Sequence, residues 1–152
     1  MFFQGLEETE LAAAQRKVAE LETELGSEHP DVAQSLNSLA SLFYYQGLDA
    51  EARPLYERAL AIREKALGSE HLDVSESLNG LANLFYSQGS YTEARPLYER
   101  ALAIREKSLS AEHSDVAQSL NNLGGLLREQ NLYDEAYPLL ERALAIREKS
   151  FG

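Results

Sequence analysis

Apolar residues recur through most of the chain at the spacing of one buried helix face. In one stretch the apolar positions are Val32, Leu36, Leu39, Ala40 and Phe43. In the next stretch they are Ala52, Leu55, Tyr56, Ala59, Ile62 and Ala66. Spacings of three and four residues place side chains on the same side of an α-helix. The pattern therefore predicts two successive helices, each with one buried face and one polar face.

This two-helix pattern occurs three times. The copies begin at His29, His71 and His113, so the period is 42 residues. Periods of about 20–50 residues are typical of small helical or mixed units that stack on one another. We therefore assign three repeats, which are residues 29–70, 71–112 and 113–152.

The predicted helix ends carry local signals. Pro30 and Asp31 suit a first turn, where a missing N–H costs nothing and the helix dipole favours an acid. Gly47 stands just past the first helix, a usual position for a terminating glycine. Ser90, three residues before Glu93, predicts a capping box at the start of a second helix.

The segment before the first repeat has a different pattern. Its apolar residues alternate spacings of three and four, and they are Leu11, Ala14, Val18, Leu21 and Leu25. One interpretation of residues 6–28 is an N-terminal capping helix, a degenerate half-repeat that covers the first repeat. The alternative is the end of a dimerising coiled coil. Residues 1–5 contain Phe-Gln-Gly and are interpreted as the remnant of a protease site added for expression.

Each copy carries a set of residues that resembles the tetratricopeptide signature. In the first copy these are Leu36, Leu39, Ala40, Phe43, Gly47, Ala52, Tyr56 and Ala59. Leu replaces the usual first aromatic residue at positions 36, 78 and 120. The 42-residue length, with SLNxLA and PLYERALAIREK, is similar to the kinesin-light-chain type of this repeat. The resemblance implies an all-α, right-handed α-solenoid of stacked antiparallel helix hairpins, with a concave groove lined by the first helix of each repeat.

Polar and small residues occupy the side of each first helix opposite its apolar face. A projection at about 100° per residue predicts a peptide-binding groove. Its side chains are Gln34, Asn37, Ser38, Ser41, Tyr44, Tyr45, Glu76, Asn79, Asn83, Tyr86, Gln118, Asn121, Asn122 and Arg128. Asn37, Asn79 and Asn121 form a ladder, in which each amide can donate to and accept from a peptide backbone. Tyrosines of this set are candidate anchoring contacts.

The asparagine ladder has an alternative interpretation. The three amides could tie neighbouring helices together and contact no ligand. Substitution separates the two interpretations, because a surface change away from core features alters stability by at most about 0.5 kcal/mol. On the groove interpretation we expect Asn79→Ala to leave melting nearly unchanged.

Composition removes several classes of function. The chain has 14 Lys and Arg against 25 Asp and Glu, a formal charge of −11, and no Cys. Nucleic acids and anionic membranes attract clustered Lys and Arg, so neither is expected as a partner. The lack of Cys excludes disulfides, thiolate zinc sites and cysteine nucleophiles. The first residues contain no basic region and no long apolar core, so we expect no signal peptide and a cytoplasmic location.

The three histidines are the obvious metal candidates. His29, His71 and His113 hold the same position in successive repeats. Packed helices lie about 10 Å apart, whereas a metal holds its ligands at about 2 Å, so we expect a structural or capping role. The sequence also contains no Gly-rich phosphate loop and no Ser placed beside a catalytic base. We therefore expect no metal, no cofactor and no enzymatic activity.

The sequence predicts a non-catalytic scaffold that binds an extended, largely neutral peptide or protein segment. Some tetratricopeptide domains hold a C-terminal carboxylate with Lys and Arg; here only Arg128 is basic among the groove positions, so that ligand is not expected. The alternative function is self-assembly through the terminal helices. The last helix would then present an apolar stripe to a second copy, consisting of Leu139, Leu140, Ala143, Ile146 and Phe151.

Overall fold

The structure, a computed structural model, describes residues 2–151, with side chains from residue 10 to residue 150. Within that range the chain forms seven α-helices and no strand. They are α1 (Phe2–Leu25), α2 (Pro30–Tyr45), α3 (Asp49–Leu67), α4 (Leu72–Ser87), α5 (Tyr91–Ser108), α6 (Ser114–Glu129) and α7 (Tyr133–Phe151). The predicted all-α array of helix hairpins is confirmed. The helices divide into two compact units between Glu70 and His71, with α1–α3 in unit 1 and α4–α7 in unit 2.

Histidine side chains start the first helix of every repeat. His29, His71 and His113 each have an extended backbone, and Nδ1 of each accepts the N–H two residues on at 3.0 Å. This bond satisfies one of the amides that a helix start leaves without a partner. The predicted capping role is confirmed. Because Nδ1 accepts this hydrogen bond, it does not donate one to the Asp carboxylate that lies 3.9 Å away.

The second helices start differently, and the predicted capping box at Ser90 is wrong. The Ser90 side chain makes no capping hydrogen bond, and its ψ of 65° lies outside the extended region that a capping residue needs. Its backbone N–H instead donates to Phe85 O at 2.8 Å and closes the preceding turn. Gly89, with φ of 76°, allows that left-handed closure. In the third repeat Asn131 takes the same role with φ of 64°.

The core of unit 1 lies between α2 and α3. It contains Val32, Leu36, Ala40, Ala52, Tyr56, Ala59 and Ile62. Helix α1 packs against α2, and Val18 is its buried apolar side chain within residues 10–25. Arg58 of α3 pairs with Glu22 of α1 at 2.6 Å and so helps to hold α1 in place. These contacts support the capping interpretation of residues 6–28, while the coiled-coil interpretation stays a prediction.

The core of unit 2 joins α4, α5, α6 and α7. Small residues at the helix contacts let the axes approach, and branched residues fill the remaining volume. The members of this core include Ala94, Ala101, Leu102, Val116, Leu120, Leu123, Ala136, Ala143 and Ile146. Helices α6 and α7 form one hairpin and α4 and α5 the other, with α5 also packed on α6.

Candidate binding surface

The exposed side of each first helix is the candidate binding surface. In α4 the accessible positions recur at spacings of three and four, and they are Asp73, Glu76, Gly80, Asn83 and Ser87. In α6 they are Asp115, Gln118, Asn121, Asn122, Gly125, Arg128 and Glu129. Both helices belong to unit 2, and both pack on α5. Helix α2 presents Gln34, Ser38 and Tyr45 in unit 1.

The fourteen predicted groove residues fall into three groups. Seven are exposed, and they are Gln34, Ser38, Tyr45, Glu76, Gln118, Asn121 and Arg128. Five are half-buried, and they are Ser41, Tyr44, Asn83, Tyr86 and Asn122. Two, Asn37 and Asn79, are buried, with 6% and 7% of their surface exposed.

The prediction that the asparagines of the ladder are accessible is therefore wrong for Asn37 and Asn79. Asn37 and Asn79 stand one residue before the exposed Ser38 and the half-buried Gly80, a rotation of about 100° around the helix. In the orientation that satisfies both amide atoms, Asn79 Oδ1 accepts from Arg105 Nη1 at 3.0 Å and from Nη2 at 3.1 Å. Asn79 thus ties α4 to α5, and only Asn121 offers an exposed amide.

Arg105 is a buried guanidinium that the sequence analysis missed. It is 8% exposed and donates through Nη1 to Gln118 Oε1 at 3.0 Å, to Ser119 Oγ at 2.9 Å and to Asp115 O at 3.0 Å. With Asn79 as a further acceptor, it joins the middle of α4 to the first two turns of α6. Burial lowers the pKa of Arg105, and the charges of Asp115 and Glu76 act against that shift.

Unit 1 contains a related arginine. Arg63 of α3 is 1% exposed and donates to Gln34 Oε1 at 2.6 Å. A signal for these contacts was present in the sequence, since Ser35, Ser77 and Ser119 fall on the apolar sides of the first helices. Buried polar side chains require hydrogen-bond partners, and an Arg at the same place in each second helix can supply them.

A tyrosine of the second helix hydrogen-bonds to a predicted groove residue of the first helix in each of the first two repeats. Tyr56 of α3 shares a hydrogen bond with Ser41 Oγ at 3.0 Å, and Tyr98 of α5 donates to Asn83 Oδ1. These bonds fix the orientation of Ser41 and Asn83. In the third repeat Leu140 takes the sequence position of the tyrosine, and Gly125 takes that of Ser41 and Asn83. Nothing lies within 4 Å of the place where a Cβ of Gly125 would be, so α6 has an open notch there.

An aromatic site lies where α4 ends and α5 begins. The rings of Tyr86 and Tyr91 lie 5.4 Å apart. Burial raises the pKa of Tyr86, and the carboxylate of Glu129 adds to that increase. The charge of Arg128 acts in the opposite direction, so α6 contributes both charged groups that face this tyrosine.

The predicted self-association stripe on α7 is also corrected. Ala143 and Ile146 are buried in the core of unit 2, and Leu139 and Leu140 are half-buried against it. These side chains pack on the helix's own hairpin partner, α6, and form no exposed stripe. The side chain of Phe151 lies outside the described residues. Leu144 of α7 is open to solvent, with 57% of its surface exposed, as is Tyr137 with 52%.

Within residues 10–150, no three or more His, Asp or Glu side chains come together as a group that could hold a metal ion. In the part of the chain that the structure describes, none of the helices combines the length and the apolar character needed to cross a membrane.

Comparison with known families identifies the repeat. A sequence profile of the tetratricopeptide repeat family matches residues 10–65, 31–107 and 73–149. Together these three overlapping matches extend over most of the chain. Comparison with curated proteins found no match.

Several solved structures share the fold. BtubC (BKLC) from P. vanneervenii is 26% identical, with a TM-score of 0.87 over 97% of this chain and 59% of that one. The chain thus spans about three fifths of the length of BtubC. A kinesin-light-chain candidate of Podosopora anserina, with nearly identical TPR-like repeats, is 32% identical, with a TM-score of 0.74 over 97% of this chain and 70% of that one. MamA protein shares the fold at 19% identity, with a TM-score of 0.66 over 97% of this chain and 68% of that one.

Proposed function

We propose that this chain, which belongs to the tetratricopeptide repeat family, is a non-catalytic protein-interaction module that binds an extended segment along its first helices. Repeats of this family generally mediate protein–protein interaction. The observation that carries the proposal is that α4 and α6 of unit 2 both pack on α5 and both keep one side exposed. Their exposed sides offer amides and glycines, while their other sides are buried in the core.

The chemistry of that surface favours a largely neutral segment. Its middle carries Asn83, Asn121 and Asn122, which can pair with backbone N–H and C=O groups. Gly125 leaves room for a side chain of the ligand. Arg128 is the one basic side chain among these α4 and α6 positions. Binding of a free carboxylate or an acidic motif requires several cationic side chains, and this surface has too few of them.

Preorganisation supports the proposal. Arg105 fixes α4 relative to α6, and Tyr98 holds Asn83. A surface that is already ordered loses less entropy when a ligand binds. The tyrosine pair Tyr86–Tyr91 at one end offers an anchoring contact of a kind common at interfaces.

The test begins with selection of binding peptides from a library of random twelve-residue segments. Affinity of a selected peptide is then measured for the parent protein and for Asn121→Ala and Asn83→Ala. We expect each variant to weaken binding by about tenfold, as for loss of one or two buried hydrogen bonds. Gln15→Ala, which removes an exposed amide from α1, is the matched control and should bind as the parent does. Peptides that bind equally well to all four proteins would contradict the proposal.

Self-assembly is a second proposed function, favoured by a separate observation. Leu144, on the outer side of α7, is a large apolar side chain that unit 2 leaves exposed. Homo-oligomerisation through this last helix would cover it.

A further inference from the structure

Helices α5 and α7 carry an identical ten-residue segment in two different environments. Residues 99–108 and 141–150 both read ERALAIREKS. Leu102 of α5 is 8% exposed, whereas the equivalent Leu144 of α7 is 57% exposed. Arg105 is buried, whereas the equivalent Arg147 is exposed. The sequences are the same, so the difference arises from what covers each helix.

The structure shows what covers α5. Helix α6 packs on it, and its first two turns supply the acceptors for Arg105: Asp115 O, Gln118 Oε1 and Ser119 Oγ. Val116 and Leu120 of the same two turns belong to the core that contains Leu102. Arg105 and Leu102 are thus matched by the segment 115–120.

The same six-residue segment occurs at the start of α2. Residues 31–36 and residues 115–120 both read DVAQSL, and a histidine caps both helices through Nδ1. Helix α4 differs here, since Ser75 and Glu76 stand where α6 has Ala117 and Gln118. We propose that α7 binds α2 of a second copy of this chain, with Arg147 and Leu144 taking the contacts that Arg105 and Leu102 make with α6.

Helix α1 competes for the same position. It precedes α2 as α5 precedes α6, and it packs on α2 within its own chain. At the position equivalent to Arg63 it carries Leu21, so the guanidinium that donates to Gln34 of α2 is that of Arg63 in the same chain. Arg147 would be a second donor to Gln34 Oε1, which can accept two hydrogen bonds. Association of two copies therefore requires α1 to leave α2. The ion pair between Glu22 and Arg58 at 2.6 Å holds α1 in place and opposes that exchange.

This inference rests on the self-assembly function and is independent of the peptide-binding surface. The first experiment is sedimentation velocity on the full chain over a range of concentrations. We expect Glu22→Lys, which places two cations together and loosens α1, to increase association. Adding Leu144→Glu to that variant should weaken association by about tenfold or more, because a carboxylate is costly to bury without a partner.

The control is Ala145→Glu, also in the Glu22→Lys background. It adds the same charge to an exposed position of α7 that lies about 100° away from Leu144. This variant should associate as Glu22→Lys does. Equal weakening by the two glutamates, or monomers at every concentration in the parent and in Glu22→Lys, would overturn the proposal.

A second experiment identifies the occupant of α7. The chain contains no Cys, so an introduced cysteine is the one thiol of each protein with which a cross-linker can react. Proteins carrying Ser150→Cys and Asp31→Cys, two exposed positions that leave Arg147, Leu144 and Gln34 unchanged, are mixed and treated with a short bismaleimide cross-linker. A cross-linked product between the two proteins is expected. No such product, or cross-linking of Ser150→Cys only to itself, would overturn the assignment of α2, without affecting the proposed peptide binding.

Discussion

Asn79 and Asn121 occupy the same position in successive repeats of unit 2, yet one is buried and the other exposed. Each has an arginine 26 residues further on, at the same place in the second helix of its repeat. Arg105 is held by acceptors on α6 and keeps Asn79 covered, whereas Arg147 is exposed and leaves Asn121 open. The comparison teaches that the neighbouring repeat decides whether a residue is structural or available to a ligand.

The largest effect is expected from substitution of Arg105, the arginine that accounts for the difference between Asn79 and Asn121. Arg105→Ala leaves Asn79, Gln118, Ser119 and a backbone carbonyl without their donor, and we expect unit 2 to lose about 3 kcal/mol of stability. Arg147→Ala removes an exposed side chain and should change stability by no more than about 0.5 kcal/mol. Urea denaturation followed by circular dichroism compares the two. Equal losses would mean that the two arginines are equivalent and would break the comparison.

The asparagines themselves give the next largest effect. Asn79→Ala should cost about 1–2 kcal/mol, because buried Arg105 loses an acceptor. This replaces the expectation from sequence that the substitution would leave melting nearly unchanged. Asn121→Ala should stay within about 0.5 kcal/mol. Thermal melts of the two variants measure the difference, and a neutral Asn79→Ala would restore the groove interpretation of that residue.

The histidine caps are a feature in which the two repeats of unit 2 should behave alike, because His71 and His113 make the same hydrogen bond. His71→Ala and His113→Ala should each cost about 1 kcal/mol, the usual loss for a removed N-cap. His113→Asn keeps a side-chain acceptor at the cap and should recover most of that loss. Denaturation midpoints provide the measurement. Caps of clearly unequal strength would mean that the repeats differ at their helix starts as well as at their arginines.

The smallest expected effect concerns Tyr86, whose position in the third repeat is taken by Arg128. Burial and, secondly, Glu129 raise the pKa of Tyr86, so the folded state holds this proton more tightly than the unfolded state. Its contribution to stability is therefore complete below the usual tyrosine pKa of about 10 and is lost as pH rises through the folded-state pKa. Tyr86→Phe should lessen the fall in stability above about pH 10. An unchanged fall would contradict the assigned environment.

The sequence was sufficient to predict the helices and repeats, because hydrophobic periodicity records which face of a helix is buried. The sequence was not sufficient to predict which neighbouring helix or side chain covers that face. The stripe predicted on α7 consists of residues that face α6, and the residue left exposed is Leu144. Asn37 and Asn79 were assigned one position away from the exposed side, since a wheel at 100° per residue does not show the arginine that covers them. Ser90 lacked the backbone conformation that its predicted cap requires.

The contacts of Arg105 also have a consequence for cooperativity. In an array of repeats, stability is approximately a sum of the terms of individual repeats and of the interfaces between them. Arg105 crosses the interface between the second and third repeats, with acceptors on both α4 and α6. Partial unfolding that releases α6 would break its hydrogen bonds to Gln118 and Ser119 and would expose the apolar side of α5 that contains Leu102, so α4, α5 and α6 should open together. Their amide hydrogens would then exchange with solvent as a single block, with one shared free energy of opening.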